Sequence, residues 1–108
     1  MSKKRRPLSI ASVTVLHAMS EGAQYGFEIM DATELPSGTV YPILGRLERS
    51  GLVRARWERV EIARREKRPP RRYYALTKDG SRELAASLER LRTLTGPLPA
   101  AEPRKAEA

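Results

Sequence analysis

At 108 residues the chain is sized for one domain, and its 21 Lys and Arg against 13 Asp and Glu leave a formal net charge of +8. Such a surplus favours an anionic partner, nucleic acid ahead of an anionic membrane surface. With no cysteine and a single histidine, disulfides, thiolate metal centres and cysteine nucleophiles are excluded. No apolar run approaches the roughly 18 residues of a membrane span, so no membrane association and a cytoplasmic location are expected.

Residues 1–7 read as a basic arm carrying Lys3, Lys4, Arg5 and Arg6. It is either a solubilising terminus or an arm that touches phosphates or a minor groove. Pro7 suits a helix start, and Leu8 to about Met19 is apolar around most of its circumference. Such a helix is buried on more than one side, one of them free for a partner subunit. His17 on this helix reads as a satisfied structural histidine. Tyr25 to Thr33 reads as a second short helix, with Phe27, Ile29 and Met30 turned inward and Glu28 and Asp31 outward.

Leu35-Pro36-Ser37 is the following turn, with Ser37 as N-cap of a third helix and Pro42 near its first turn. In that helix Val40, Leu44 and Leu47 recur at i, i+4, i+7 as one apolar stripe. Thr39, Pro42, Arg46 and Arg49 fall on the opposite face and present a hydroxyl and two guanidinium forks. Gly51 stops the helix as a left-handed cap.

Residues 53–58 alternate small or aromatic with charged side chains, the pattern of a half-buried strand. Arg72-Tyr73-Tyr74-Ala75-Leu76 reads as its partner. The stretch 59–71 is too long for a tight hairpin and predicts a wing with a flexible tip. Basic positions 54, 56, 59, 64, 65, 67, 68, 71 and 72 outnumber acidic 58, 61 and 66, so the charge is concentrated in the arm and wing.

Thr77 is placed as the N-cap of a fourth helix, where Leu84, Leu88 and Leu91 repeat at i, i+4, i+7. A seam on a terminal helix suits a symmetry mate, so Leu84, Leu88 and Leu91, with Leu8 and Ile10 of the first helix, are expected to form a dimer interface. Gly96-Pro97 ends this helix, and residues 96–108 are expected to be disordered.

Helix, helix, turn, helix, two-stranded ribbon, helix is the order of a winged helix-turn-helix: mainly α with a two-stranded β wing, plus one C-terminal dimerisation helix. The expected units are an arm 1–7, a DNA-binding domain 8–76, a dimerisation helix 77–95 and a tail 96–108. The third helix would enter the major groove. Ser37, Gly38 and Thr39 at its N-terminus suit a phosphate, and Arg46 and Arg49 suit guanine edges or phosphates. For either arginine the bland alternative is a surface ion pair with Glu48 or Glu34. Arg64, Arg65, Lys67, Arg68, Arg71 and Arg72 would supply affinity through the sugar-phosphate rails.

The joints of this order carry Tyr25-Gly26-Phe27-Glu28-Ile29, Ser37-Gly38-Thr39-Val40-Tyr41-Pro42, Arg46-Leu47-Glu48, Ser50-Gly51-Leu52-Val53, Trp57, and Arg72-Tyr73-Tyr74-Ala75-Leu76-Thr77-Lys78-Asp79-Gly80. Together they resemble the PadR family of bacterial transcriptional regulators, over residue 8 to about 95. The resemblance implies a dimeric winged-helix repressor that releases DNA on a signal. It also implies that the Tyr41 hydroxyl reaches a backbone phosphate, the alternative being a half-buried ring packed against the turn; Pro42, on the outer face, is counted with the DNA-contacting set. It puts Trp57 in the core or by the dimer interface. With one helix after the wing, the chain is similar to short-tailed members.

The expected partners are double-stranded DNA and a second copy of the chain. A small-molecule effector of unknown identity is left open, and no cofactor or metal is expected. The competing classes are a basic RNA-associated protein and a protein-interaction module on a winged-helix scaffold. An enzyme is not expected: no nucleophile–base pair, phosphate loop or metal cluster can be picked out.

Overall fold

The computed structural model describes residues 7–95, and the expectations for the arm 1–6 and the tail 96–108 lie outside the described residues. The element order is α1 (Ile10–Ser20), α2 (Gly26–Thr33), α3 (Ser37–Arg49), β1 (Val53–Trp57), α4 (Val60–Arg65), β2 (Arg72–Leu76) and α5 (Lys78–Thr95). This is the mainly helical winged arrangement read from the pattern, with a six-residue helix added inside the wing.

Helix α1 starts two residues later than expected because Ser9 caps it, its hydroxyl accepting the Ser12 N–H at 3.1 Å. Val15 and Leu16 are fully buried in it, while His17 is exposed beside Glu21, not enclosed as expected. In α2, Ile29 is the buried side chain and Met30 is half-buried. Phe27 is corrected from the inward set: it stands 71% exposed, because a helix this short turns only one narrow face to its neighbours.

Helix α3 buries Val40, Ile43, Leu44 and Leu47, the expected stripe widened by Ile43. Its end is a two-bond turn: the Leu52 N–H donates to the Leu47 carbonyl at 2.9 Å and the Gly51 N–H to that of Glu48 at 3.0 Å. Gly51 takes φ of +78°, which a residue without Cβ adopts cheaply. The same turn drops Leu52 and Val53 into the core beside Leu47.

β1 and β2 pair antiparallel, Val53 opposite Leu76 through Trp57 opposite Arg72. The loop before α2 joins the free edge of β2, with the Tyr74 N–H donating to the Gln24 carbonyl at 2.8 Å and Tyr25 bridging Tyr73. Helix α1 sits at the centre, in contact with α2, α3, α5 and β2. Its burial together with α3 supplies the core, each fully enclosed Leu or Ile contributing about 1.5–3 kcal/mol.

Helix α5 is capped as expected, the Gly80 N–H donating to the Thr77 hydroxyl at 2.9 Å. Its leucine seam is divided between two environments. Leu84 is buried in the domain's own core and Leu91 packs against that core, as does Leu8, whereas Leu88 and Ile10 remain exposed. Leu84 is therefore engaged within the chain and not free for a dimer seam, since α5 leans on α1 and β2.

Candidate nucleic-acid interface

The exposed face of α3 collects most of the residues singled out in that segment. Ser37, Gly38, Tyr41, Pro42, Arg46 and Arg49 are exposed and Thr39 is half-buried. Pro36, not Ser37, occupies the capping position. It is extended, and its carbonyl accepts the N–H groups of Thr39 and Val40 at 2.9 and 3.0 Å. Ser37 is thus the first helical residue, and its N–H and that of Gly38 are left without an intrahelical acceptor. These two donors point where a helix dipole favours an anion.

Starting the helix at Ser37 moves Pro42 from the expected first turn into the second. It removes the N–H that would bond to Gly38, and both residues are exposed, so the vacancy lies on the solvent side. The Tyr41 ring covers the backbone of Gly26, where any Cβ would collide with it. Tyr41 thereby ties the third helix to the start of the second while remaining 47% exposed.

Arg46 and Arg49 form no ion pair among the described residues, and Glu48 turns instead to Arg72, at 3.5 Å. Arg49 lies back along its helix over Gly45, and Arg46 shares a shallow hollow with Pro7, Leu8 and Ser9. Pro7 therefore stands beside the arginine face.

In the wing, the basic residues fall into two groups. Arg68, Arg71 and Arg72 are half-buried and engaged internally. Arg68 grips Glu58, its two amino groups at 2.7 and 2.9 Å from the two carboxylate oxygens. Arg71 stacks on Tyr25 at 4.2 Å, and Arg72 on Trp57 at 5.0 Å. Arg64, Arg65 and Lys67 are exposed and have no ion-pair partner among the described residues. Arg59, not among the site residues singled out from the sequence, joins them as an exposed cation with no ion-pair partner among the described residues.

The expected flexible tip is corrected to an ordered turn of helix, α4, with Ala63 1% exposed beneath it. Of the two places expected for Trp57, the core is excluded: it is 62% exposed at the end of β1, under Arg72.

Glu58 was not legible as a functional residue. It is 6% exposed, and besides Arg68 it accepts the Arg71 N–H at 3.1 Å. The Arg68 hydrogen bond, aided by the Arg71 N–H and opposed by burial, lowers its carboxyl from 4.5 to about 2, and Arg68 is pushed up in return. Burial likewise raises the Tyr74 hydroxyl.

Because the folded value for Glu58 lies below the unfolded one, the pair's stabilisation is complete above the ordinary 4.5 and is lost as pH falls toward about 2. Urea midpoints of the wild type and Glu58→Gln at about pH 6 and about pH 2.5 test this. The wild-type advantage should shrink in acid, and an advantage that persists unchanged contradicts the assignment.

Among the described residues no helix is long and apolar enough to cross a membrane, and no three His, Cys, Asp or Glu side chains could together hold a metal ion.

The profile of the transcriptional regulator PadR-like family matches residues 15–86. No curated relative matches the chain by sequence. Among solved structures, a PadR family transcription regulator from Clostridium difficile R20291 superposes with a TM-score of 0.70 at 22% identity, covering 81% of this chain and 92% of that one. A PadR-like regulator from Bacillus cereus gives 0.64 at 21% identity, over 80% and 84%. BpsR from Bordetella bronchiseptica, whose DNA binding is regulated by 6-hydroxynicotinic acid, gives 0.69 at 21% identity, over 93% of this chain and 74% of its own.

Proposed function

Because the chain belongs to the PadR-like family of transcriptional regulators, it is a DNA-binding regulator, and we propose that it is a repressor binding an inverted-repeat operator as a homodimer. The observation that carries this reading is the exposed pair Arg46 and Arg49, without an ion-pair partner among the described residues, on the face of α3 opposite its buried stripe. That face enters the major groove, with Arg46 and Arg49 on base edges and Ser37, Gly38, Thr39, Tyr41 and Pro42 along the adjoining phosphates. Arg64, Arg65 and Lys67 reach the flanking backbone from the wing, and Arg68, Arg71 and Arg72 shape it.

The exposure of Ile10, Leu88 and Leu94, at 68, 42 and 77%, supports a second copy packing along α1 and the C-terminal half of α5. Leu8 and Leu91 would border that contact. BpsR supplies a precedent for a small-molecule effector, whose identity for this chain is open, and the site of action would be the cytoplasm.

Selection of bound sequences from a random duplex pool tests the reading. A palindrome with half-sites about one helical turn apart is the expected result. An asymmetric motif overturns the dimer, and stronger binding to structured RNA than to duplex at fixed salt overturns the DNA assignment. A reporter placed behind the selected site should fall on expression of the protein; a rise overturns repression.

A further inference from the structure

The wing tip is held by a carboxylate. Glu58 follows β1 directly, and its N–H donates to the Arg71 carbonyl at 2.8 Å, extending the ladder one step beyond Trp57 and Arg72. Thirteen residues later the Arg71 N–H returns to the Glu58 side chain. Between these points the chain forms α4 and turns back sharply. The Arg68 N–H donates to the Ala63 carbonyl at 3.1 Å and the Lys67 N–H to that of Arg64 at 3.0 Å. Lys67 sits at φ of +57°, a left-handed conformation costly for a residue with a Cβ, which persists only where surrounding contacts over-determine it. That turn delivers Arg68 to Glu58, where the guanidinium fork closes on both carboxylate oxygens.

A buried acid in a DNA-binding wing runs against Coulomb's law as applied to phosphate affinity. Its geometry explains its presence. We infer that Glu58 is a positioning residue for DNA binding: its buried carboxylate, clasped by Arg68 and the Arg71 N–H, fixes α4 so that Arg59, Arg64, Arg65 and Lys67 are presented as one rigid cationic set. A clasped tip has lost its conformational freedom before DNA arrives, so the ordering cost falls on folding and not on binding. This inference rests on the wing reading above, that the exposed wing cations contact the DNA backbone.

The sign of a charge change separates positioning from simple electrostatics. Glu58→Gln and Glu61→Gln each remove one negative charge from the wing, but Glu61 is exposed on α4 and lies outside the clasp. Operator affinity is measured by fluorescence anisotropy across a salt series, with trypsin cleavage after Arg64, Arg65 and Lys67 as the readout of wing order. Glu61→Gln should bind slightly more tightly than the wild type, whereas Glu58→Gln should bind about tenfold more weakly with a shallower salt slope. Its wing should also be cleaved faster than the accompanying loss of global stability accounts for, with the helical fold still intact at the assay temperature.

Tighter binding by Glu58→Gln overturns the inference, as does an affinity loss matched by loss of the whole fold at the assay temperature. The double variant Arg64→Ala/Arg65→Ala tests the underlying reading separately. If it binds and responds to salt like the wild type, the wing reading fails. If it weakens binding while Glu58→Gln does not, only the clasp fails.

Discussion

Gly80→Ala should cripple folding, lowering the thermal midpoint by more than about 10 °C through a loss of about 3 kcal/mol or more. The first turn of α5 presses on the turn that ends α3, and a Cβ on Gly80 would drive into the Leu52 carbonyl oxygen and stand 3.0 Å from its carbonyl carbon. Neither backbone is free to yield. The Leu52 carbonyl accepts the Thr77 N–H at 3.0 Å, and the Thr77 hydroxyl donates to the Gly51 carbonyl at 2.7 Å while accepting the Gly80 N–H. The contrast is Gly38→Ala, where nothing lies within 4 Å of a new Cβ. That change should stabilise the exposed helix by up to about 1 kcal/mol. Calorimetry on both variants decides, and a Gly80→Ala protein that melts with the wild type removes the close approach from the account.

Arg46→Ala should weaken operator binding by about 10- to 100-fold, the range set by loss of one bidentate guanine contact of about 1–3 kcal/mol. The folded state should be unaffected, because Arg46 is exposed and makes no ion pair among the described residues. Discrimination at one base position should relax at the same time. A loss equal on operator and random duplex would demote Arg46 to a phosphate contact, and no loss on either would take it off the interface. The same comparison on Arg49→Ala assigns its role, since its guanidinium folds back toward Gly45 and must swing outward to reach a base.

Much of the fold was legible because its signals are short-range. The stripe Val40, Leu44, Leu47 is buried as its spacing demands, Gly51 takes the left-handed turn, and the Thr77 hydroxyl caps α5. Errors of one or two residues arose where neighbouring groups compete for one role, as Pro36 and Ser37 do at the start of α3. The core place for Trp57 and the inward turn of Phe27 failed for a different reason. Alternation and helical period say which side a residue faces, but not whether anything stands on that side.

Periodicity, turn chemistry and the clustering of charge thus sufficed for the winged-helix order and the basic face of α3, since each depends on residues within about one or two turns of one another. Packing between distant segments decided the remainder. It drew Leu84 into the core, left Ile10 and Leu88 bare, and closed Arg68 onto Glu58 across ten residues. Contacts of that kind exist only after the chain has folded back on itself, and spacing along the sequence carries no record of which partners will then meet.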